Sequence, residues 1–301
     1  MQFPCNYIGY PWAFIIDSYH CKYKNKFKTL YEYVDKLGLA ETLKKEKNLI
    51  TTIQSFHLFE YLLDFNKMNI KYIFSPHAEK DKFIDIYEKY NIVTIPYYIY
   101  PSNSNFQKMD KEYKLSFIGT IKYNYTKPTK IRTELINHIN KLNEKNIYIK
   151  TLDNWHYNDL IFGEQLKAIN VSENYLDTTK ERELEYSRVM NKSIFSLCPL
   201  GVGPNSIRLW ESFIYKTIPI IIADNLWLPY YANIKWKNLC KKVEENKIQK
   251  IDNLINIDNK DINAMKNEIE KFSKKYLIDK KFGNLTEIFF TNDKKINLLM
   301  V

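Results

Sequence analysis

Arginine is scarce in this chain. Of its 45 basic residues only Arg132, Arg182, Arg188 and Arg208 are arginines; the others are lysines spread along 301 residues. The net charge of +10 is therefore scattered, which fits solvated helix faces better than a nucleic-acid-binding stripe. Such a surface still suits an anionic membrane or an acidic glycan. At Arg132 and Arg208, kept as arginine where the chain otherwise uses lysine, the planar fork marks a candidate anion contact. Cysteine is scarce too. Cys5, Cys21, Cys198 and Cys240 show no C-x-x-C spacing and no accompanying histidine pattern, which favours free thiols in a reducing compartment over disulfides. No apolar run approaches the ~20 residues of a membrane span, and Asp17 and His20 interrupt the amino-terminal apolar stretch where a signal peptide would be continuous. There is no G-x-x-x-x-G-K-[ST] loop and no G-x-S-x-G elbow, which disfavours a P-loop NTPase and a covalent hydrolase. No D-x-D triplet occurs, and Asp, Glu and His do not cluster at metal-ligand spacing along the chain, so neither a metal nor a cofactor is expected. Internal repeats and low-complexity segments are also missing.

The length suits two domains of ordinary size, and 45% hydrophobic residues suffice for two cores. Residues 1–110 read as one α/β unit. Strands are expected at Asn6–Tyr10, Asn48–Ile53, Ile70–Phe74 and Ile92–Tyr98. The loop Pro11-Trp12-Ala13 leads to Phe14–Asp17, and helices are expected over Tyr19–Lys36, Leu58–Lys67 and Asp81–Tyr90. This alternation predicts a parallel sheet with crossover helices. Ligands bind beyond the carboxyl ends of such strands, where Asp17, Gln54, His57 and His77 collect. Pro101–Met109 reads as a linker. A second unit, 111–260, opens with the strand Leu115–Ile118, Gly119-Thr120, and a helix from about Thr129 carrying Arg132. A strand at Ile147–Lys150, a helix at Glu181–Met190, and a capped amphipathic helix from Asp261 complete the pattern.

Ser193 to Tyr230 is the richest stretch. Ile194–Cys198 and Ile218–Ala223 are apolar, β-branched runs of the kind covered on both faces. Between them Gly201, Gly203 and Pro204 form a turn that lets backbone approach a ligand, and Asn205 or Ser206 can cap the following helix. Ile207, Leu209, Trp210, Phe213 and Ile214 make an apolar stripe, while Arg208, Glu211, Ser212 and Tyr215 share the other face. A helix start with an arginine in its first turn suits phosphate, and Glu211, one turn on, can accept from a ribose diol. An ordinary surface Arg–Glu pair would use the same spacing.

CPLGVGPNSIRLWE followed by IPIIIADNLWLPY resembles the exostosin-like glycosyltransferases and their C-P-x-G, S-x-R-L-x-E and I-P-V-I-x-x-D-x-x-x-L-P-F run. Lys216-Thr217 stands where that family usually has Gly-Cys, and Tyr230 where it has Phe. PWAFIID, QSFH and FSPH in the first half are similar to bacterial and viral members. The resemblance implies an α/β chain of GT-B architecture: two Rossmann-like domains facing across a cleft, 1–110 on the acceptor side, 111–260 holding the nucleotide-sugar, and 261–301 crossing back to the first. It implies donor contacts from Gly119, Thr120, Arg132, Pro204, Asn205, Ser206, Arg208, Glu211 and Asp224, with Arg132 facing the diphosphate opposite Arg208.

The expected reaction is metal-independent, inverting transfer of a sugar from a nucleoside-diphosphate donor, UDP favoured, to a glycan, glycolipid or other hydroxyl acceptor. Preorganised cations stabilise the departing diphosphate, and Asp17, then His77, then His57 are the candidates for general base. Animal and plant exostosins are anchored in the Golgi membrane, whereas here a cytoplasmic protein, or one peripheral on a membrane, is expected. The competing readings are a non-catalytic glycan-binding protein and a basic nucleic-acid binder, whose affinity would fall steeply with salt.

Overall fold

In the computed structural model, described over residues 6–77, 79–80, 86, 88–97, 109–123, 126–142, 144–153, 173–229 and 234–278, the chain builds two parallel sheets in succession. The first contains β1 (Asn6–Tyr7), β2 (Leu49–Thr52), β3 (Ile70–Ser75) and β4 (Ile92–Thr94), paired in chain order. Right-handed crossovers that all advance in one direction put every connecting helix on one face. That face is covered by α1 (Trp12–Ser18), α2 (Leu30–Lys36), α3 (Ala40–Lys45), α4 (Leu62–Lys67) and α5 (Glu88–Tyr90). Trp12, Ile16, Leu30, Val34, Leu43 and Phe65 pack there on Leu49, Ile53, Ile73 and Ile92. Side chains alternate along a strand, so Ile50, Tyr72, Phe74 and Val93 point the other way. They join the cluster built around the second sheet. One hydrophobic core thus runs through both halves of the chain.

The second sheet has the order β6-β5-β7-β8-β9, all parallel, from β5 (Tyr113–Thr120), β6 (Ile147–Leu152), β7 (Ser193–Pro199), β8 (Ile218–Ile222) and β9 (Lys241–Lys242). Its helices are α6 (Thr126–Ile139), α7 (Glu173–Asn191), α8 (Ile207–Ile214), α9 (Ile251–Leu254) and α10 (Asn259–Ser273). The chain leaves β5 to one side for β6 and returns on the other side as β7. That reversal makes the carboxyl ends of β5 and β7 the topological switch point, where open α/β sheets bind ligands.

Several local expectations are corrected. Phe14–Asp17 lies in α1, so Asp17 is on a helix and not at a strand end. The long helix expected over Tyr19–Lys36 is a π turn, Tyr19–Tyr23, followed by the separate α2, whose start Thr29 caps by accepting from the Glu32 N–H. Helix α3 was not anticipated. Asp258, not Asp261, caps α10, accepting the Asp261 N–H at 2.8 Å. Helix α10 packs on α8 and β8. The expected linker, apart from Met109, and residues 279–301 of the expected returning segment lie outside the described residues. Among the described residues Cys21, Cys198 and Cys240 stand outside any disulfide. Among the described residues no helix is long and apolar enough to cross a membrane.

Among the described residues, four helix-to-strand turns pass through left-handed backbone. Asn48, Asn69 and Asn91 (φ 53°, 59° and 49°) lead into β2, β3 and β4, and asparagine tolerates this region better than other side chains with a Cβ. The fourth, before β8, is Lys216 at φ 51°, which is the position where the resembled family carries glycine. Its ion pair with Glu270 at 3.0 Å is solvent-exposed and offsets little of the strain. Lys216→Gly should therefore raise stability by about 0.5–1 kcal/mol, the relieved strain less the extra freedom of the unfolded chain. A lower urea midpoint in the variant would contradict this.

Candidate functional site

Two buried arginines occupy the switch point. Arg132, from α6, is 5% exposed and Arg208, from α8, is 8% exposed. Arg132 donates through Nε to Leu200 O (2.8 Å), through Nη1 to Thr120 O (2.7 Å) and through Nη2 to Pro199 O (3.2 Å). Arg208 donates to Leu197 O at 3.2 Å and to Ile118 O. The two guanidiniums lie over the same Phe117 ring, 5.8 and 4.6 Å from its centroid. They clamp the ends of β5 and β7 by donating to carbonyl oxygens at that edge. Burial lowers the Arg132 pKa to about 10, and the Arg208 charge works in the same direction. Arg208 Nε is buried without a hydrogen-bond partner among the described residues. Gly119 makes room for the clamp: a Cβ there would fall 2.7 Å from Arg208 Nη2, whereas one on Gly201 would stand 3.7 Å from Arg132 Nη2, an ordinary contact.

Helix α8 is buried on more sides than its sequence suggests. Ile207, placed in the apolar stripe, is 43% exposed, while Arg208, Ser212 and Tyr215 of the polar face are buried. Helix α7 supplies part of the cover. The Tyr186 hydroxyl donates to Glu211 at 2.5 Å, and Tyr215 donates to Ser187 at 2.8 Å. Burial pushes the Glu211 carboxyl up, against the Tyr186 bond and the Arg208 charge. Ser206 holds the N-cap position of α8 but makes no side-chain cap bond. Asn205 is a crosspiece instead. Its Oδ1 accepts from Trp210 Nε1 at 2.9 Å, and its Nδ2 donates to Pro76 O of the first unit at 2.8 Å. Pro204 is buried beside it. Thr120 Oγ1 donates to Lys122 O at 3.1 Å. Asp224 is exposed and exchanges bonds with Glu245: its N–H donates to the carboxylate (2.9 Å) and its own carboxylate accepts the Glu245 N–H (3.1 Å).

Across from the second sheet, the first unit contributes a cleft of about 250 Å³, lined by Phe56, His57, Glu60 and His77 on one side and by Val202 and Gly203 on the other. The units are stitched beside it by Asn205–Pro76, by Lys80 N–H to Asn225 O (2.9 Å) and by Thr94 Oγ1 to Trp227 O (2.8 Å). His77 is buried against the Gly203 turn, with the Tyr97 hydroxyl 3.2 Å from its ring nitrogens. Burial lowers its pKa to about 4, which keeps the ring neutral and weakly basic. Asp17 is half-buried and accepts from Ser55 Oγ at 3.3 Å. Burial raises its pKa, with His57 and the Ser55 bond opposing. Gln54 is exposed.

Sequence reasoning missed His20 and Glu60. His57 Nδ1 is 2.7 Å from Glu60 Oε1, His20 Nδ1 is 3.7 Å from Glu60 Oε2, and ligand atoms of all three residues lie within 4.8 Å of one another. The i, i+3 spacing of His57 and Glu60 was the available signal for that pair. His20 is remote in sequence and offered none.

A profile of the Exostosin GT47 domain matches residues 82–257, more than half of the chain. A probable glucuronosyltransferase of Oryza sativa subsp. japonica is 37% identical over 79 residues, 26% of this chain and 18% of that protein. A probable beta-1,4-xylosyltransferase of Arabidopsis thaliana is 38% identical over 79 residues, 26% of this chain and 19% of that protein. The match thus spans under a fifth of these curated relatives' length. Among solved structures, TarM superposes with a TM-score of 0.42 at 13% identity, over 86% of this chain and 57% of that one. On the profile match, which takes in β4 to β9 and both clamping arginines, the chain belongs to the exostosin GT47 family.

Proposed function

We propose that this protein is a glycosyltransferase that moves a sugar from a nucleoside-diphosphate donor, a UDP-sugar by preference, to a hydroxyl of a glycan or glycolipid acceptor, with inversion. The donor lies beyond the carboxyl ends of β5 and β7 in the second unit. The acceptor and the general base belong to the first unit, across the cleft. The observation that carries this reading is the pair of guanidiniums on Phe117 at the switch point, one with a buried Nε that has no partner. Two buried cations over one ring are complemented by an anion, and a diphosphate supplies one as it leaves. The same pair provides the charge that a metal provides in other transferases, so the step is metal-independent. The two relatives' names make UDP-glucuronic acid and UDP-xylose the first donors to try.

Melting the protein with UDP, GDP and ADP tests this. A nucleotide at about 100 times its Kd stabilises the folded state by about 2.7 kcal/mol, a rise of roughly 5 °C in Tm. The rise should persist in EDTA. A chain whose Tm none of the three nucleotides moves is not a nucleotide-sugar transferase of this design.

A further inference from the structure

The rim of the cleft carries an arrangement that the donor site does not use. His57 and Glu60 lie on the 3-10 turn Phe56–Glu60, in which side chains three apart eclipse one another. A carboxylate only accepts, so the 2.7 Å contact with Glu60 Oε1 places a proton on His57 Nδ1 and leaves the lone pair on Nε2. Among the described residues no hydrogen bond reaches that Nε2. His20 is presented by the π turn Tyr19–Tyr23, a backbone irregularity that often marks functional positions. Its ring stacks on His57 with centroids 3.7 Å apart and planes at 22°, and its Nδ1 lies 2.9 Å from the Tyr61 hydroxyl. Glu60 from the side and His20 from above thus fix the His57 ring against the cleft that it lines with Gly203.

The same three residues could be read as ligands of a cation, but two details oppose that. An ion must lie near the plane of each coordinating imidazole, and rings stacked this closely cannot both aim at one point without splaying. Lys24 Nζ, 3.4 Å from Glu60 Oε2, also brings a positive charge of its own to the carboxylate.

The geometry points to His57 as the general base of the proposed transfer, with Glu60 and His20 as its positioning residues; the inference rests on the transferase reading above. The acceptor O–H gives its proton to His57 Nε2 as its oxygen bonds the anomeric carbon. The bond from that carbon to the diphosphate oxygen breaks, and the nucleoside diphosphate leaves with the electron pair. Glu60 holds the resulting imidazolium through Nδ1–H.

Turnover is read as UDP released from UDP-glucuronic acid or UDP-xylose. His57→Ala is expected to lower kcat roughly 100- to 10,000-fold, to keep the Tm rise with UDP, and to regain part of its turnover with added imidazole, which a merely structural role would not permit. Glu60→Gln should lower kcat with the donor KM unchanged, and His20→Ala should do so more weakly. Nitrogen-15 NMR of the wild type should find His57 as the Nδ1–H tautomer, displaced toward Nε2–H by Glu60→Gln. Full turnover in His57→Ala, an Nε2–H tautomer in the wild type, or one Zn²⁺ held per chain through His20, His57 and Glu60 would overturn the assignment. If UDP leaves the wild-type Tm where it was, the transferase reading is what fails, and the tautomer decides the pairing of His57 with Glu60 by itself.

Discussion

Replacing Arg208 by alanine is expected to remove the Tm response to nucleoside diphosphates and to destabilise the protein by roughly 2–6 kcal/mol. The stability loss follows from what the side chain holds. Its guanidinium satisfies Ile118 O and Leu197 O at the ends of two central strands, and a buried acceptor left unmade costs about 1–3 kcal/mol. The variant also gives up the stack on Phe117 and exposes Glu211 to burial without its nearby cation. Arg208→Lys separates charge from shape. It keeps a positive group in the pocket but has no rigid fork to span two carbonyls. Lysine should therefore recover less than half of the lost stability and little of the nucleotide response. Chemical denaturation of both variants, with and without UDP, measures the two effects. Wild-type stability in Arg208→Ala would mean that the guanidinium is not a structural tie, and the description of the switch point would have to change.

Gly119→Ala should be nearly as damaging through a single methyl group. That methyl would sit 2.7 Å from Arg208 Nη2 and 3.4 Å from the Phe117 ring. An arginine tip normally moves aside at little cost, but this one is pinned by its carbonyl bonds and by the ring beneath it. Overpacking of this kind costs about 1–3 kcal/mol, and the displaced guanidinium should carry the nucleotide response away with it. Gly201→Ala is the matched control. Its nearest atoms would be Tyr123 OH at 3.6 Å and Arg132 Nη2 at 3.7 Å, ordinary contacts, so it should melt close to wild type. Equal behaviour of the two alanine variants would show that crowding of Arg208 is not the cause.

What could be read from the sequence divides along physical lines. The buried strands announced themselves because β2, β3, β5, β7 and β8 are apolar runs punctuated by turn residues, and parallel strands covered on both faces leave no other option. The central motif of the second unit was visible for the same reason: strand, glycine turn, helix and strand follow one another without a gap. Helix α1 was missed because WAFIIDS is a short apolar run, which periodicity cannot assign to strand or helix. The inward turn of Arg208 was missed because its acceptors, Leu197 O and Ile118 O, lie on two strands, the second 90 residues away in the chain. Helix α8 looked two-faced in isolation, and only Tyr186 and Ser187 of a distant segment reveal the second buried side. Glu60 escaped notice because the turn it shares with His57 is 3-10, where propensity arguments have little grip.

The first sheet has all its helices on one side, and this limits how such an enzyme can be rebuilt. Its other face, with Ile50, Tyr72, Phe74 and Val93, is finished by the other half of the molecule. A chimera grafting a foreign first half onto this second half would bring a surface shaped for a different neighbour. Those four side chains, together with the Pro76 carbonyl that Asn205 reaches for, would have to travel with the graft for the hybrid to close.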